Sequence, residues 1–274
     1  GLILKNILFA FGTRPEALKM APLISELSKR KINFSVKVCI TSQHKEMLEQ
    51  VLAIFSIKID YNLAVMKPEQ ELSSLTSSII DGFSRVLNEV QPDLVIVQGD
   101  TTTTMACALS AFYKKIPIAH VEAGLRTENK FSPFPEEINR RLTSSLATWH
   151  FAPTPLAREK LLKENVEAER IFVTGNTVID SLLEVVKFVR EKGNKYSIKF
   201  PFLENNKSLV LVTGHRRESF GKGFEEICKA IKSLAESHQD VVFVYAVHLN
   251  PNVQRPVYKF LKNISNIMLI PPQE

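Results

Sequence analysis

Three carboxylates stand where a chain of alternating strands and helices would place the ends of its strands. Asp100 follows a predicted strand at Leu94–Gln98, Glu122 follows one at Ile118–Val121, and Glu136 opens a predicted helix. Ligands of open parallel sheets bind beyond the carboxyl ends of the strands. Carboxylates gathered there could move protons or stabilise an oxocarbenium-like centre. We therefore take Asp100, Glu122 and Glu136 as candidate catalytic residues.

Each of these carboxylates also has a plainer interpretation. Asp100 could be the N-cap of the following helix, and Glu136 and Glu137 favour a first helical turn for dipole reasons alone. Glu122 has no obvious packing role at a strand end. Arg140 lies four residues after Glu136 on the same helix face, which places it to orient that carboxylate.

Positive charges follow the first predicted strand. Gly12 permits a tight turn, Pro15 suits the first turn of a helix, and the free amides of such a turn form an anion site. Arg14 and Lys19 add positive charge that opposes the helix macrodipole, which indicates an external anion such as a diphosphate. The alternative is a plain turn with solvated charges.

A similar segment, Thr213–Glu218, follows a strand in the second half of the chain and supplies His215 and Arg216. We interpret both as phosphate contacts, although a lone histidine is more often structural. Neither a Walker A loop nor a G-x-G-x-x-G segment is present, so ATP or NAD binding of the usual kinds is unsupported. Cations that hold a leaving phosphate, together with carboxylates, indicate chemistry at a sugar attached to a diphosphate.

Short apolar runs alternate with longer amphipathic ones, a pattern typical of βαβ units and a parallel sheet. The first half predicts about five strands, and the second half only three, at Ser208–Thr213, Val241–Val247 and Ile267–Ile270. This rhythm indicates an N-terminal Rossmann-like domain over residues 1–172 and a C-terminal one over residues 173–274. Three strands are few for a doubly wound sheet, so the second domain is interpreted as truncated at Glu274.

Composition limits the function classes. The 274 residues are 45% hydrophobic and 23% charged, which suits a globular protein. A net charge of +6 fits an anionic ligand but is too small to indicate a nucleic-acid partner. Cys39, Cys107 and Cys228 lie in apolar runs without metal-ligand spacing, which indicates reduced thiols in the cytoplasm and no metal site. No apolar run reaches about 18 residues, so we expect neither a membrane span nor export.

Eight segments together carry a resemblance to a known family. They are Gly12–Pro22, Gln43–Met47, Gly99–Thr104, His120–Thr127, Pro133–Arg140, Phe172–Asp180, Val212–Gly221 and Val247–Pro251. In this order they resemble the non-hydrolysing bacterial UDP-N-acetylglucosamine 2-epimerases. The match is collinear over the whole chain, which makes it far more specific than any single segment.

The resemblance implies a glycosyltransferase-B-like pair of Rossmann-like domains with the active site in the cleft between them. It implies reversible interconversion of UDP-GlcNAc and UDP-ManNAc, in which UDP is eliminated to give a 2-acetamidoglucal and is then re-added to the other face. Neither a metal nor another cofactor is implied. The resemblance further implies a homodimer and a product that feeds surface polysaccharide synthesis.

The resemblance also implies roles for individual residues. Asp100, Glu122 and Glu136 match acid/base and sugar-positioning carboxylates, with no individual role assigned. The predicted substrate-binding residues are Arg14, Lys19 and His215 as contacts to UDP and Gln273 on the uracil side, and the residue pattern described above adds Arg140 and Arg216. A second site that binds an activating UDP-GlcNAc is matched by Gln43, His44 and His248.

The family's second domain continues past the segment that matches Ile270–Glu274, so we expect this chain to lack part of the diphosphate site. Two alternatives therefore stand beside epimerisation. One is a catalytically impaired nucleotide-sugar-binding remnant, and the other is a hydrolysing epimerase or a GT-B glycosyltransferase. UDP-ManNAc, free ManNAc or a transferred product would separate the enzyme classes.

Overall fold

The computed structural model describes residues 4–42, 45–192, 199–204, 207–214 and 221–273. The chain divides into two compact units, residues 1–190 and residues 191–274. Each unit is an α/β structure in which the strands run parallel and helices connect them. The predicted fold class of two Rossmann-like units agrees with this architecture.

The first unit is built on a parallel sheet of seven strands with the order β3-β2-β1-β4-β5-β6-β7. The strands are β1 (Lys5–Phe11), β2 (Phe34–Ile40), β3 (Tyr61–Asn62), β4 (Leu94–Gln98), β5 (Ile118–Val121), β6 (Trp149–Ala152) and β7 (Ile171–Val173). The helices are α1 (Arg14–Lys29), α2 (Lys45–Ile54), α3 (Leu72–Val90), α4 (Thr102–Tyr113), α5 (Glu136–Leu146), α6 (Pro155–Lys163) and α7 (Val178–Glu191), and a 3₁₀ turn spans Ala168–Arg170.

The direction of strand addition reverses beside β1. From β1 the chain adds β2 and β3 on one side, and then returns to place β4 on the other side, where Leu8 lies opposite Val95. The turns that leave β1 and β4 therefore start at neighbouring points of the same sheet edge. Open parallel sheets bind ligands in the crevice outside such a reversal.

The core explains why β1 and β4 hold their positions. Phe9 of β1 packs with Met20 of α1 on one face of the sheet, and Leu8 packs with Phe83 of α3 and Cys107 of α4 on the other. All five side chains are 0% exposed. Burial of apolar surface contributes about 25 cal/mol per Å², and here it acts on both faces of the central strands.

The second unit has a smaller parallel sheet with the order β10-β9-β8. Its elements are β8 (Ser208–Val212), α8 (Lys222–Ser237), β9 (Val241–Ala246), α9 (Pro251–Leu261) and β10 (Ile267–Ile270), preceded by a 3₁₀ turn at Pro201–Glu204. Phe224, Cys228 and Tyr245 are among its core residues. Across the described parts of both units, no helix is both long and apolar enough to span a bilayer.

The junction between the two units differs from the sequence-based expectation. Ile171–Val173, expected to open a new stretch of chain, pairs with β6 and extends the first sheet. The boundary expected between residues 172 and 173 therefore falls inside β7, and the contacts divide the chain after Arg190 instead. Helix α7 stays with the first unit, where Thr177 Oγ1 donates to the Lys19 carbonyl over 2.5 Å.

Candidate active site

The turn after β1 forms as predicted, but two of its backbone amides make hydrogen bonds to a side chain of the same segment. Helix α1 begins at Arg14 with Thr13 as its N-cap. The backbone amides of Gly12 and Thr13 donate to Glu16 Oε2 over 3.1 and 2.8 Å. The prediction that the amides of this turn are free for an external anion is therefore wrong for these two groups.

Gly12 is needed at this turn because there is no space for a side chain. A Cβ at this position would lie 2.3 Å from Thr41 Oγ1 and 3.0 Å from Thr103 Oγ1. Those two hydroxyls are themselves hydrogen-bonded over 2.8 Å. The close approach fixes the turn against the end of β2 and the first turn of α4.

Lys19 and Glu122 form an ion pair between α1 and the end of β5. Lys19 Nζ lies 2.7 Å from Glu122 Oε2 and 3.0 Å from Oε1. Asn176 Nδ2 donates to Oε2 over 3.2 Å, and the pair is largely buried, with side-chain exposures of 23% and 14%. A predicted catalytic carboxylate and a predicted phosphate contact are thus brought together, and they neutralise one another.

Asp100 forms a second ion pair of the same kind. Arg140 Nη2 donates to Asp100 Oδ2 over 2.5 Å, and the Arg140 side chain is only 11% exposed. Arg140 was expected to orient Glu136, but its other contact is Glu137, with 3.5 Å between Nη1 and Oε2. The plain interpretation of Asp100 as an N-cap is wrong, since Thr101 caps α4 by accepting from the Thr104 amide.

Glu136 and Glu122 lie close enough to Asp100 to influence its pKa. Burial raises the pKa of the Asp100 carboxyl above its usual range, and the Arg140 guanidinium opposes that shift. The negative charges of Glu136 and Glu122 raise the pKa of Asp100 further. A carboxyl whose pKa is moved toward neutrality is suited to both giving and taking a proton.

Two charged side chains of the site have no protein partner among the described residues. Arg14 and Glu136 are each partly buried. Within the ranges described for this chain, neither side chain has a hydrogen bond or an ion pair. A guanidinium at the start of a helix is disfavoured by the macrodipole, so Arg14 is suited to an anion, whereas Glu136 is suited to a proton or a hydroxyl.

Several buried polar residues support the site and were not predicted from the sequence. His120 Nε2 lies 2.7 Å from the Gly99 carbonyl and donates to it, and burial lowers the pKa of His120 to about 3, so the ring is neutral. Asn139 Nδ2 donates to the Asp100 carbonyl over 3.0 Å. The spacing Thr13-x-x-Glu16, typical of a capping box, was the one sequence signal that could have identified Glu16.

The remaining predicted residues stay predictions. His248 and Gln273 are both exposed in the second unit. The Asn250 amide donates to His248 Nδ1 over 3.1 Å, and Gln273 Nε2 donates to the Pro271 carbonyl over 2.7 Å. The other predicted residues lie outside the described ranges, namely Gln43, His44, His215 and Arg216.

Fold and site together define a class of protein. It is an α/β protein in which carboxylates and cations gather where the strand order of a parallel sheet reverses, an arrangement suited to an anionic nucleotide ligand. The family described as UDP-N-acetylglucosamine 2-epimerase matches residues 25–274. The chain belongs to this family, as the eight segments predicted.

Similarity to individual relatives agrees with this family assignment. The chain is 54% identical over 272 residues to the UDP-N-acetylglucosamine 2-epimerase of Escherichia coli K12, a match that covers 98% of this chain and 72% of the relative. The crystal structure of UDP-GlcNAc 2-epimerase from Neisseria meningitidis bound to UDP-GlcNAc has 49% identity and a TM-score of 0.88, covering 98% of this chain and 73% of that one. The Methanocaldococcus jannaschii epimerase in complex with UDP-GlcNAc and UDP has 30% identity and a TM-score of 0.72, covering 97% and 73%.

The ion pair of Asp100 generates a prediction about its titration. The Arg140→Met substitution removes the guanidinium, which opposes the rise that burial causes in the pKa of Asp100. We expect the pKa of the Asp100 carboxyl to rise further, so that a larger fraction is protonated at a given pH. Titration of the side-chain carboxyl by ¹³C NMR measures this directly.

Arg141→Met is the matched control. Arg141 is on the same helix and its Nε donates to Glu137 Oε1 over 3.1 Å, but no described contact joins it to Asp100. If the Asp100 carboxyl titrated at the same pH in the Arg140→Met and Arg141→Met variants, the ion pair would not control its protonation.

Proposed function

We propose that this chain interconverts UDP-GlcNAc and UDP-ManNAc by eliminating UDP and re-adding it, through a 2-acetamidoglucal. The observation that carries the proposal is the meeting of Asp100, Glu122 and Glu136 at the sheet edge, two of them held by cations. Membership of the epimerase family supports the same reaction. The family relatives do not favour the alternatives of a hydrolysing epimerase or a glycosyltransferase.

The chemistry needs proton transfer on both faces of the sugar. In the forward direction the C2–H bond breaks, its proton passes to a carboxylate, and a C1–C2 double bond forms as the C1–O bond breaks. The electron pair of that bond leaves with UDP. In the return step the UDP oxygen bonds to C1, and C2 accepts a proton from the opposite face. Inversion at C2 therefore requires two groups that exchange protons, and the site offers three carboxylates.

The cations suit the leaving group. Arg14 has no protein partner among the described residues, so a diphosphate can bind it without breaking an ion pair. Lys19 and Arg140 limit the repulsion between the carboxylates and an anionic substrate, because each cation already neutralises one of the carboxylates. His215, Arg216 and Gln273 are proposed as further substrate contacts on the basis of the resemblance.

A second nucleotide site and an assembly state are also proposed. The resemblance supports a regulatory UDP-GlcNAc site that includes Gln43, His44 and His248, and the M. jannaschii relative is one that has been solved with both UDP-GlcNAc and UDP. The resemblance supports a homodimer, and a monomer in sedimentation equilibrium would contradict it.

The three cysteines, Cys39, Cys107 and Cys228, are buried and form no disulfide, which fits the reducing cytoplasm.

The reaction is tested by following UDP-GlcNAc with the purified chain by ¹H NMR. We expect UDP-ManNAc to form and to approach equilibrium from either sugar. Asp100→Asn, Glu122→Gln and Glu136→Gln should each lower kcat by about 100-fold or more, the size expected when acid/base catalysis is removed.

Glu128→Gln is the matched control, because Glu128 is an exposed carboxylate paired with Lys160 outside the site. It should turn over like the unmodified chain. Free ManNAc or a transferred sugar as product would contradict the proposal, and so would UDP binding without any turnover, which defines the remnant.

A further inference from the structure

Glu16 joins the two turns that leave β1 and β4. Its side chain is only 2% exposed. Oε2 accepts from the amides of Gly12 and Thr13 and from Thr13 Oγ1, the last over 2.7 Å. Oε1 accepts from Thr101 Oγ1 over 2.9 Å and more weakly from Thr104 Oγ1 over 3.4 Å, a hydroxyl that lies closer to the Gln98 carbonyl, at 2.6 Å. One carboxylate therefore binds two loops that are 85 residues apart in the chain.

Helix capping alone does not account for this arrangement. A capping box requires only the exchange between Thr13 and Glu16, which satisfies two amides and can be made at the surface. Here the carboxylate is enclosed, and burial raises the pKa of Glu16 while the hydrogen bonds from Thr13, Thr101 and Gly12 lower it. Burying a carboxylate is costly unless its oxygens accept hydrogen bonds. The hydrogen bond from Thr101 helps to offset that cost, because it satisfies Oε1.

The two joined turns carry the charged groups of the proposed reaction. Arg14 follows the first turn directly, and Asp100 directly precedes Thr101 in the second. We propose that Glu16 is a positioning residue, which holds the turn of the phosphate-binding Arg14 at a fixed spacing from the turn of the acid/base Asp100. This inference rests on the proposed epimerase function. Glu16 itself touches neither Asp100 nor a substrate atom.

The second turn is held from other sides as well, and Glu16 provides its hydrogen-bonded link to α1, beside the packing of Gly12 against Thr103. His120 holds the Gly99 carbonyl and Asn139 holds the Asp100 carbonyl. Side chains from β5, α5 and α1 thus bind three successive residues, ending at Thr101. Only Glu16 among them reaches the turn of Arg14, so its loss should change the spacing between the turns without releasing either turn.

The test compares Glu16→Gln with Thr101→Val. In Glu16→Gln the side-chain oxygen must stay on the Gly12 and Thr13 amides, because a backbone N–H can only donate. The new NH₂ group therefore faces Thr101, and the negative charge is lost. Thr101→Val removes the linking hydroxyl with little change of shape, and because that hydroxyl also caps α4, the kcat of the variant is read at a temperature at which the variant is folded. Displacement of reacting groups by about 1 Å costs on the order of 100-fold in rate, so we expect kcat to fall about tenfold to 100-fold in both variants, with the KM for UDP-GlcNAc changed by less than about threefold.

Controls separate positioning from a loss of folding. Thr101→Ser keeps the hydroxyl and should restore kcat to within about threefold of the unmodified chain, and the double variant should be no slower than the slower single one, as for residues that act together. Glu26→Gln alters an exposed carboxylate of the same helix, paired with Arg30, and should have no effect. Rates are compared at a temperature at which circular dichroism finds each variant folded.

Each outcome decides the proposal. A kcat within twofold of the unmodified chain in the Glu16→Gln and Thr101→Val variants overturns it, and so does a Thr101→Ser variant as slow as Thr101→Val. If Glu16→Gln does not fold, the Thr101 pair decides alone. If the unmodified chain forms no UDP-ManNAc, the proposed function fails and this inference falls with it, a result distinct from an active chain that tolerates the variants.

Discussion

The reversal of strand order between β1 and β4 is the constraint on which the rest of the site depends. Because β1 pairs with both β2 and β4, the turns that leave β1 and β4 begin side by side, and their helices continue on opposite faces of the sheet. The apolar clusters on the two faces of the sheet hold these strands in place. Charged side chains that are far apart in sequence consequently meet at one sheet edge.

The charges at that edge are balanced before any ligand arrives. Lys19 is paired with Glu122, and Arg140 with Asp100. Partly buried carboxylates without such partners would carry a desolvation penalty and mutual repulsion. The pairing lets the site keep three carboxylates close together, and it leaves Arg14 and Glu136 as the side chains that we propose for the leaving group and the sugar.

The local pattern of apolar residues was sufficient to predict most of the fold. Side-chain contacts between different strands and helices could not be predicted from it. The alternation of apolar runs located β1, β4 and β5 and the residues after them, because strand periodicity and turn chemistry are local. β3 spans only Tyr61–Asn62, too short for a periodic signal. Arg140 was expected to orient Glu136 from helix spacing, which identifies neighbours within one helix but not Asp100, 40 residues away. Glu16 was overlooked for the same reason, since its contact to Thr101 crosses from one turn to another.

We propose that carboxylates at this sheet edge remove and return the proton at C2. The most direct measurement is the isotope content of the product formed in D₂O from unlabelled UDP-GlcNAc, read by ¹H NMR and mass spectrometry. The account predicts one solvent deuterium at C2 of UDP-ManNAc, because a carboxylate that exchanges with solvent delivers the returning proton. UDP-ManNAc that retained the original hydrogen at C2 throughout would contradict it.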